Sequence, residues 1–332
     1  MTPSGPIPTF ASRIRGKQCS ERQIRSTRAG IFSALICMFA SGLAAVAEAD
    51  DRAADRAFWP AEAIMRGATI APDLTFPEKA QLSADDLQRR TTLLKPHGEG
   101  PFPAIVMVHQ CAGLNPAVMA NAREALAQKY VVLMIDSLGP RNVTTVCYGP
   151  QNGVNFFRGV RDALQATEHL RGLPYVDKTR IALVGFSWGA MVGLMTSSQH
   201  YASAALTNAA PFAAVVSFYP GCFKITPPNG RPPFEILNAD IKRPLLVLMG
   251  EADTETPAGE CVSKLEAAKR AGAPVEWHVY PQTTHCWDCR TLDGLTKTDM
   301  RGNRVDYHFS SSATKDGRSR MFEFLARTMP KG

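Results

Sequence analysis

The stretch Ile181 to Ala190 reads IALVGFSWGA, an apolar run that passes straight into Gly185-Phe186-Ser187-Trp188-Gly189. A serine in this G-x-S-x-G setting suits nucleophilic chemistry. The chain must turn sharply from strand to helix and hold the serine in a strained backbone, which side chains at the flanking positions would obstruct. The turn exposes the hydroxyl and aims the N-terminus of the next helix at the reacting centre. The bland alternative is a glycine-serine turn. The strong strand before it and the helical MVGLMTSS after it argue against that. A serine hydroxyl is a weak nucleophile until a base takes its proton, and the base needs an acid to fix its tautomer. Downstream, GEADTETP offers Glu251, Asp253 and Glu255 as the acid. Asp253 is the choice, because it sits in the loop with reach whereas Glu251 abuts the preceding strand. Further on, YPQTTHCWDCR supplies His285 as the base. His97 and His200 lie in polar stretches, His278 lies inside a strand, and His109 precedes the serine.

These residues need elements to position them. Continuous apolar runs at Ala104 to His109, Val131 to Asp136, Ile181 to Gly185, Ala213 to Phe218 and Pro244 to Gly250 read as buried parallel strands. Val275 to Tyr280 is more mixed and suits a strand near an edge. Helical stretches alternate with them at Pro116 to Lys129, Phe156 to Leu173, Pro257 to Ala271 and Thr314 to Thr328, the first capped by Asn115. The alternation predicts an α/β protein with a mostly parallel sheet. In such sheets ligands bind beyond the carboxyl ends of the strands, and Ser187, Asp253 and His285 all follow apolar runs. An oxyanion formed in acyl transfer needs two preorganised N–H donors, each worth about 3 kcal/mol of barrier. The amide of Trp188, directly after the nucleophile, is one candidate; the amide of Cys111, in the turn VHQCAGLN, is the other.

Composition limits the rest. With 332 residues, 45% of them hydrophobic, and no linker or repeat, a single large domain is expected. Its start is preceded by something else. Residues 1 to 30 carry six basic residues against Glu21 alone, and an uncharged run from Ile31 to Val46 ends in small residues that fit an A-x-A cleavage signal. This describes a secretory signal peptide over residues 1–49, the run being shorter than the roughly 20 residues of a spanning helix. Residues 50–90 read as an N-terminal extension packing near the sheet's edge, and residues 91–330 as the catalytic domain. The expected location is periplasmic or secreted, with no stable membrane insertion after cleavage. The leader accounts for +4 of the formal net charge of +7. The remaining +3, with acids and bases interspersed, is ordinary surface and not a nucleic-acid footprint.

Export turns the remaining cysteines, Cys111, Cys147, Cys222, Cys261, Cys286 and Cys289, toward disulfides. The cluster His285-Cys286-x-x-Cys289 has three readings: half a zinc site, a redox dithiol, or a catalytic base beside cysteines that serve another purpose. Zinc would occupy His285 and remove the base. A catalytic dithiol would normally open a helix, and TLDGLTK is a poor helix start. His285 is therefore read as base, with Cys286 and Cys289 in a disulfide, either local or to distant partners. Cys111 and Cys147 both follow strands at the active edge, so a bridge there would brace the oxyanion loop; Cys222 with Cys261 is the natural second pair.

With VHQCAGLN, GFSWGA, GEADTETP and YPQTTH in place, the chain resembles the dienelactone hydrolase family of α/β-hydrolases, from about Thr91 to the final helix RMFEFLART. The resemblance implies an α/β-hydrolase fold, a mostly parallel central sheet with helices on both faces. It implies Ser187 as nucleophile, Asp253 as acid, His285 as base and Cys111 as the second oxyanion amide, with no metal or organic cofactor. The best-known members carry cysteine where this chain has Ser187, and glutamate where it has Gln110. An arginine after the base holds their substrate's carboxylate, and Arg290 lies one position displaced from it. Gln110, Arg141 and Arg290 are thus the candidates for substrate contact. Arg141 has two roles open: holding an acidic substrate, or pairing with a backbone carbonyl. The expected activity is hydrolysis of a small-molecule carboxylic ester or lactone. The alternatives are a peptidase or amidase with the same triad, and an inert hydrolase-like binding protein.

Overall fold

A computed structural model describes residues 61–85, 88–205, 212–227 and 231–330; the leader expected at residues 1–49 lies outside them. Helix α1 (Ala61–Thr69) precedes strands β1 (Thr92–Leu94) and β2 (Phe102–Val108), helix α2 (Pro116–Ala127), strand β3 (Val131–Ile135) and helix α3 (Phe156–Arg171). Strand β4 (Val176–Phe186) leads into helices α4 (Trp188–Ser197) and α5 (Gln199–Ala205) and strand β5 (Ala214–Phe218). After the short pair β6 (Lys224–Ile225) and β7 (Phe234–Glu235) come β8 (Leu245–Gly250), α6 (Ala258–Arg270) and β9 (Val275–Tyr280). The hairpin β10 (Thr296–Thr298) and β11 (Arg304–Asp306) precedes helix α7 (Ser311–Thr328).

Seven strands form one sheet in the order β1-β3-β2-β4-β5-β8-β9. Only β1 runs antiparallel to its neighbour. The strands are continuously apolar because both faces are covered. Val106, Leu183, Val215 and Val247 pack into one core with Val160, Leu164 and Val192 of α3 and α4. Met107, Val184, Val216 and Leu248 pack into the other with Val118 and Ala122 of α2 and Met321 and Phe324 of α7. Alternate strand residues thus serve opposite cores, as the two-residue period of a strand requires. At the sheet's edge the Gln81 N–H donates to the Leu93 carbonyl and the Lys95 N–H to the Gln81 carbonyl, both at 2.8 Å. The segment before β1 therefore covers an edge that would otherwise expose unpaired backbone. Among the described residues no helix is long and apolar enough to cross a membrane.

Some boundaries differ from expectation for local reasons. Helix α2 begins as predicted, with the Asn115 side chain accepting from the Val118 N–H at 3.0 Å. It stops at Ala127, and Lys129 takes a positive φ of 68°. Helix α7 starts three residues early, at Ser311, because Ser310 caps it by accepting from the Ala313 N–H at 3.2 Å. Strand β4 starts at Val176, five residues before its apolar stretch.

Candidate active site

Ser187 sits where β4 hands over to α4, at φ 51° and ψ −111°. The two flanking glycines are dictated by close approach. A Cβ on Gly185 would lie 2.1 Å from the Gly189 carbonyl oxygen, and one on Gly189 would lie 2.3 Å from that of Val108. The Gly189 N–H donates to the His109 carbonyl at 3.0 Å, which ties the start of α4 to the end of β2.

Two loops bring a histidine and an acid to the serine. His285, in the loop after β9, has Nε2 3.0 Å from Ser187 Oγ. Its Nδ1 lies 2.7 Å from Asp253 Oδ2 in the loop after β8. Asp253 is itself held: Oδ1 accepts the Glu255 and Thr256 N–H groups at 2.9 and 2.8 Å, and Oδ2 accepts the Thr256 hydroxyl at 2.8 Å. All three side chains are buried, Ser187 being 5% exposed. Burial pulls the His285 imidazole toward its neutral form, but the carboxylates of Asp253 and Glu255 outweigh it, so its pKa is raised above the ordinary value of 6.5. The Tyr219 ring packs edge-on against His285 at 5.0 Å between centroids.

The two candidate oxyanion amides lie in the β2–α2 loop and at the start of α4. Ser137 N–H donates to His109 Nε2 at 3.0 Å, so the His109 proton is on Nδ1, which donates to the Gln110 carbonyl at 2.5 Å. The Gly113 N–H donates to that same carbonyl at 3.0 Å. In a trans peptide C=O and N–H point in opposite directions, so the Cys111 N–H is turned away from His109. Among the described residues neither it nor the Trp188 N–H has an acceptor. The Cys111–Cys147 disulfide and the Val146 N–H bond to the Cys111 carbonyl at 2.8 Å brace this loop.

The other disulfides are Cys222–Cys261 and the local Cys286–Cys289. Cys286, Asp288 and Cys289 bring their donor atoms within 4.8 Å of one another. The two sulfurs are bonded to each other, and Asp288 accepts from the Tyr219 hydroxyl at 2.8 Å and the Asn121 amide at 3.0 Å.

The three residues expected to touch substrate each have protein partners. Gln110 is buried; its Nε2 donates to the Tyr219 hydroxyl at 2.9 Å and lies 2.8 and 3.2 Å from the sulfurs of Cys286 and Cys289, while Oε1 accepts from Asn115. It links the β2–α2 loop to the loop after β9. Arg290 stacks its guanidinium on Phe309 at 4.1 Å and lines a surface cleft with Glu124, Gln128 and Arg318. Arg141 forms a two-pronged pair with Asp162 at 2.6 and 2.8 Å and also bonds the Ser137 and Pro72 carbonyls. Asp162 is fully buried and also accepts from the buried Arg158 at 2.9 Å. Removing one partner of a buried ion pair leaves charge without compensation. Asp162→Ala is therefore expected to cost about 3–5 kcal/mol, read as a lower urea midpoint at unchanged m.

Sequence reasoning missed the surroundings of His285. Glu255, weighed only as a rival acid, lies 3.8 Å from His285 Nε2. Lys297 and Tyr307, from the β10–β11 hairpin and the residue after it, both bond Glu255. Neither carries a motif; only the fold brings them there.

An elbow serine after the central strand β4, with an acid from the loop after β8 and a histidine from the loop after β9, defines an α/β-hydrolase fold. Within that class, residues 90–329 match the dienelactone hydrolase family, and the chain belongs to it. Two curated relatives are each named "Putative carboxymethylenebutenolidase". The one from Methylorubrum extorquens is 25% identical over 195 residues, 57% of this chain and 64% of its own length. This chain thus spans less than two thirds of that relative. The one from Yersinia pestis is 23% identical over 236 residues, 69% of this chain and 79% of its own. Among solved structures, the thermophilic esterase Est2 of Thermogutta terrifontis, with butyrate bound, is similar at a TM-score of 0.54 and 17% identity, covering 76% of this chain and 96% of that one.

Proposed function

We propose that this protein is a serine hydrolase that cleaves a carboxylic ester or lactone through an acyl-enzyme. The observation that carries this reading is a single imidazole, His285, bonded on one side to Ser187 Oγ and on the other to Asp253. Ser187 attacks the carbonyl carbon while His285 Nε2 takes its proton. Asp253 keeps Nδ1 protonated and stabilises the imidazolium. The amides of Cys111 and Trp188 hold the oxyanion, and His285 returns the proton to the leaving alkoxide. Water then repeats the sequence on the acyl-enzyme, with His285 again as base. Family membership and an esterase of similar fold support the choice of ester over other acyl bonds. We also propose export to the periplasm or beyond. The three disulfides support it, since such bonds persist in oxidising compartments.

The test is covalent. A fluorophosphonate probe should label the oxidised protein at one site, and peptide mapping should find the adduct on Ser187. A correctly folded protein that stays unlabelled would mean that the serine is not activated.

A further inference from the structure

The acid loop carries a second carboxylate that this reaction scheme leaves unused. Glu255 Oε2 lies 3.8 Å from His285 Nε2, the nitrogen that faces Ser187, whereas Asp253 occupies the other nitrogen. The charge is held in place by the fold. Lys297 Nζ is 2.8 Å from Oε1, and the Tyr307 hydroxyl donates to Oε2 at 2.6 Å, reaching across 42 and 52 residues of sequence. The Glu255 side chain is only 16% exposed. Burial pushes its carboxyl up, but His285, Lys297 and the Tyr307 hydrogen bond outweigh it and hold it below the usual carboxylate range. Glu255 is therefore charged at neutral pH.

Among the described residues, the three cations of the β10–β11 hairpin each have an acidic partner. Lys297 is paired with Glu255 itself. Arg301 is bonded to Glu260 and to the Glu255 carbonyl, and Arg304 to Asp306. The two arginines that the sequence offered for a substrate carboxylate are engaged elsewhere, Arg141 by Asp162 and Arg290 by Phe309.

We infer that Glu255 sets the charge selectivity of the site, so that the substrate is a neutral or cationic ester or lactone and one bearing a carboxylate near the scissile bond is rejected. This rests on the serine-hydrolase reading above. A substrate carboxylate near His285 Nε2 would face Glu255 in a site largely closed to water, where charges are weakly screened.

The test compares p-nitrophenyl butyrate with p-nitrophenyl hemisuccinate, which replaces the terminal methyl by a carboxylate. Wild type should prefer the butyrate by about tenfold or more in kcat/KM, a difference of about 1.4 kcal/mol per factor of ten. Glu255→Gln keeps the shape and leaves Lys297 without its partner, so the preference should shrink by about tenfold or invert. Lys297→Met removes the counter-charge and should widen it, which keeps the test available if the glutamine variant folds poorly. A merely structural role would lower both rates together. An unchanged ratio in both variants, with Ser187 still labelled by fluorophosphonate, overturns the role of Glu255 alone. Loss of labelling in folded wild type overturns the hydrolase reading, and this inference with it.

Discussion

Ser187→Ala is expected to lower ester hydrolysis by about 10⁴-fold or more with little change in stability. The hydroxyl's one hydrogen bond among the described residues is to His285 Nε2, so no other structure depends on it. The positive φ of 51° is a cost that alanine and serine share, because both carry a Cβ. What the variant loses is the nucleophile, and with it the covalent route. What it should keep is the proposed oxyanion pair, the amides of Cys111 and Trp188, donors of a kind worth about 3 kcal/mol each. Slow direct attack by water, assisted by His285, should therefore persist. The measurement is kcat/KM on p-nitrophenyl butyrate together with the urea midpoint of each protein. A fall of less than about 100-fold in a variant of unchanged midpoint would assign the attack to another group, against the usual scale of nucleophile removal.

The parts of the fold legible in the sequence were those whose physics is local. Runs such as AIVMVH and PLLVLMG could be recognised as strands because both faces of the sheet are covered and each residue enters one core or the other. The elbow was legible because its two glycines answer a steric demand between neighbours in sequence, Gly185 against Gly189. The hairpin from Thr296 to Asp306 was not legible. Its strands read TKT and RVD, largely exposed apart from Val305, and give no apolar signal to recognise. Strand β4 was read too short for a related reason: its early residues Asp177, Lys178 and Thr179 are polar and not buried.

Side-chain roles divide the same way. Ser187, Asp253 and His285 follow β4, β8 and β9, parallel strands that end on one edge of the sheet, and topology brings them together. Arg141 also follows a strand at that edge, yet its charge is consumed by Asp162, a residue whose burial depends on how α3 seats on the sheet. Gln110 shows the limit more sharply. Its partners Tyr219, Cys286 and Cys289 lie more than 100 residues away. Through them it joins the β2–α2 loop to the loop after β9. The Asp288 carboxylate continues that network to Asn121, and Asn121 to Arg318 of α7. A motif records which residues react; a buried network that holds them is written in contacts that spacing does not encode.

Asp253→Asn should cost about 10⁴-fold in kcat without disturbing the loop that carries it, and the hydrogen bonds say why. Asp253 Oδ1 accepts two backbone N–H groups, from Glu255 and Thr256. In the asparagine variant the amide oxygen must stay there, so the NH₂ group takes the place of Oδ2 and faces His285 Nδ1. A donor opposite Nδ1 forces that nitrogen to accept. The imidazole proton then moves to Nε2, where it confronts the serine hydroxyl it should deprotonate. The pH profile separates this from a mere loss of packing. His285 must be neutral to act, so wild-type kcat/KM rises with pH through the His285 ionisation. Burial lowers that pKa, but Asp253 and Glu255 together outweigh it, which puts the acid limb above the 6.5 of an ordinary imidazole. Removing the Asp253 charge leaves burial in place and only the weaker influence of Glu255 to oppose it among the described residues, so the limb of the residual activity should move to lower pH. A limb that stays where it was, in a variant slowed to the same extent, would mean that the ionisation belongs to a group other than His285.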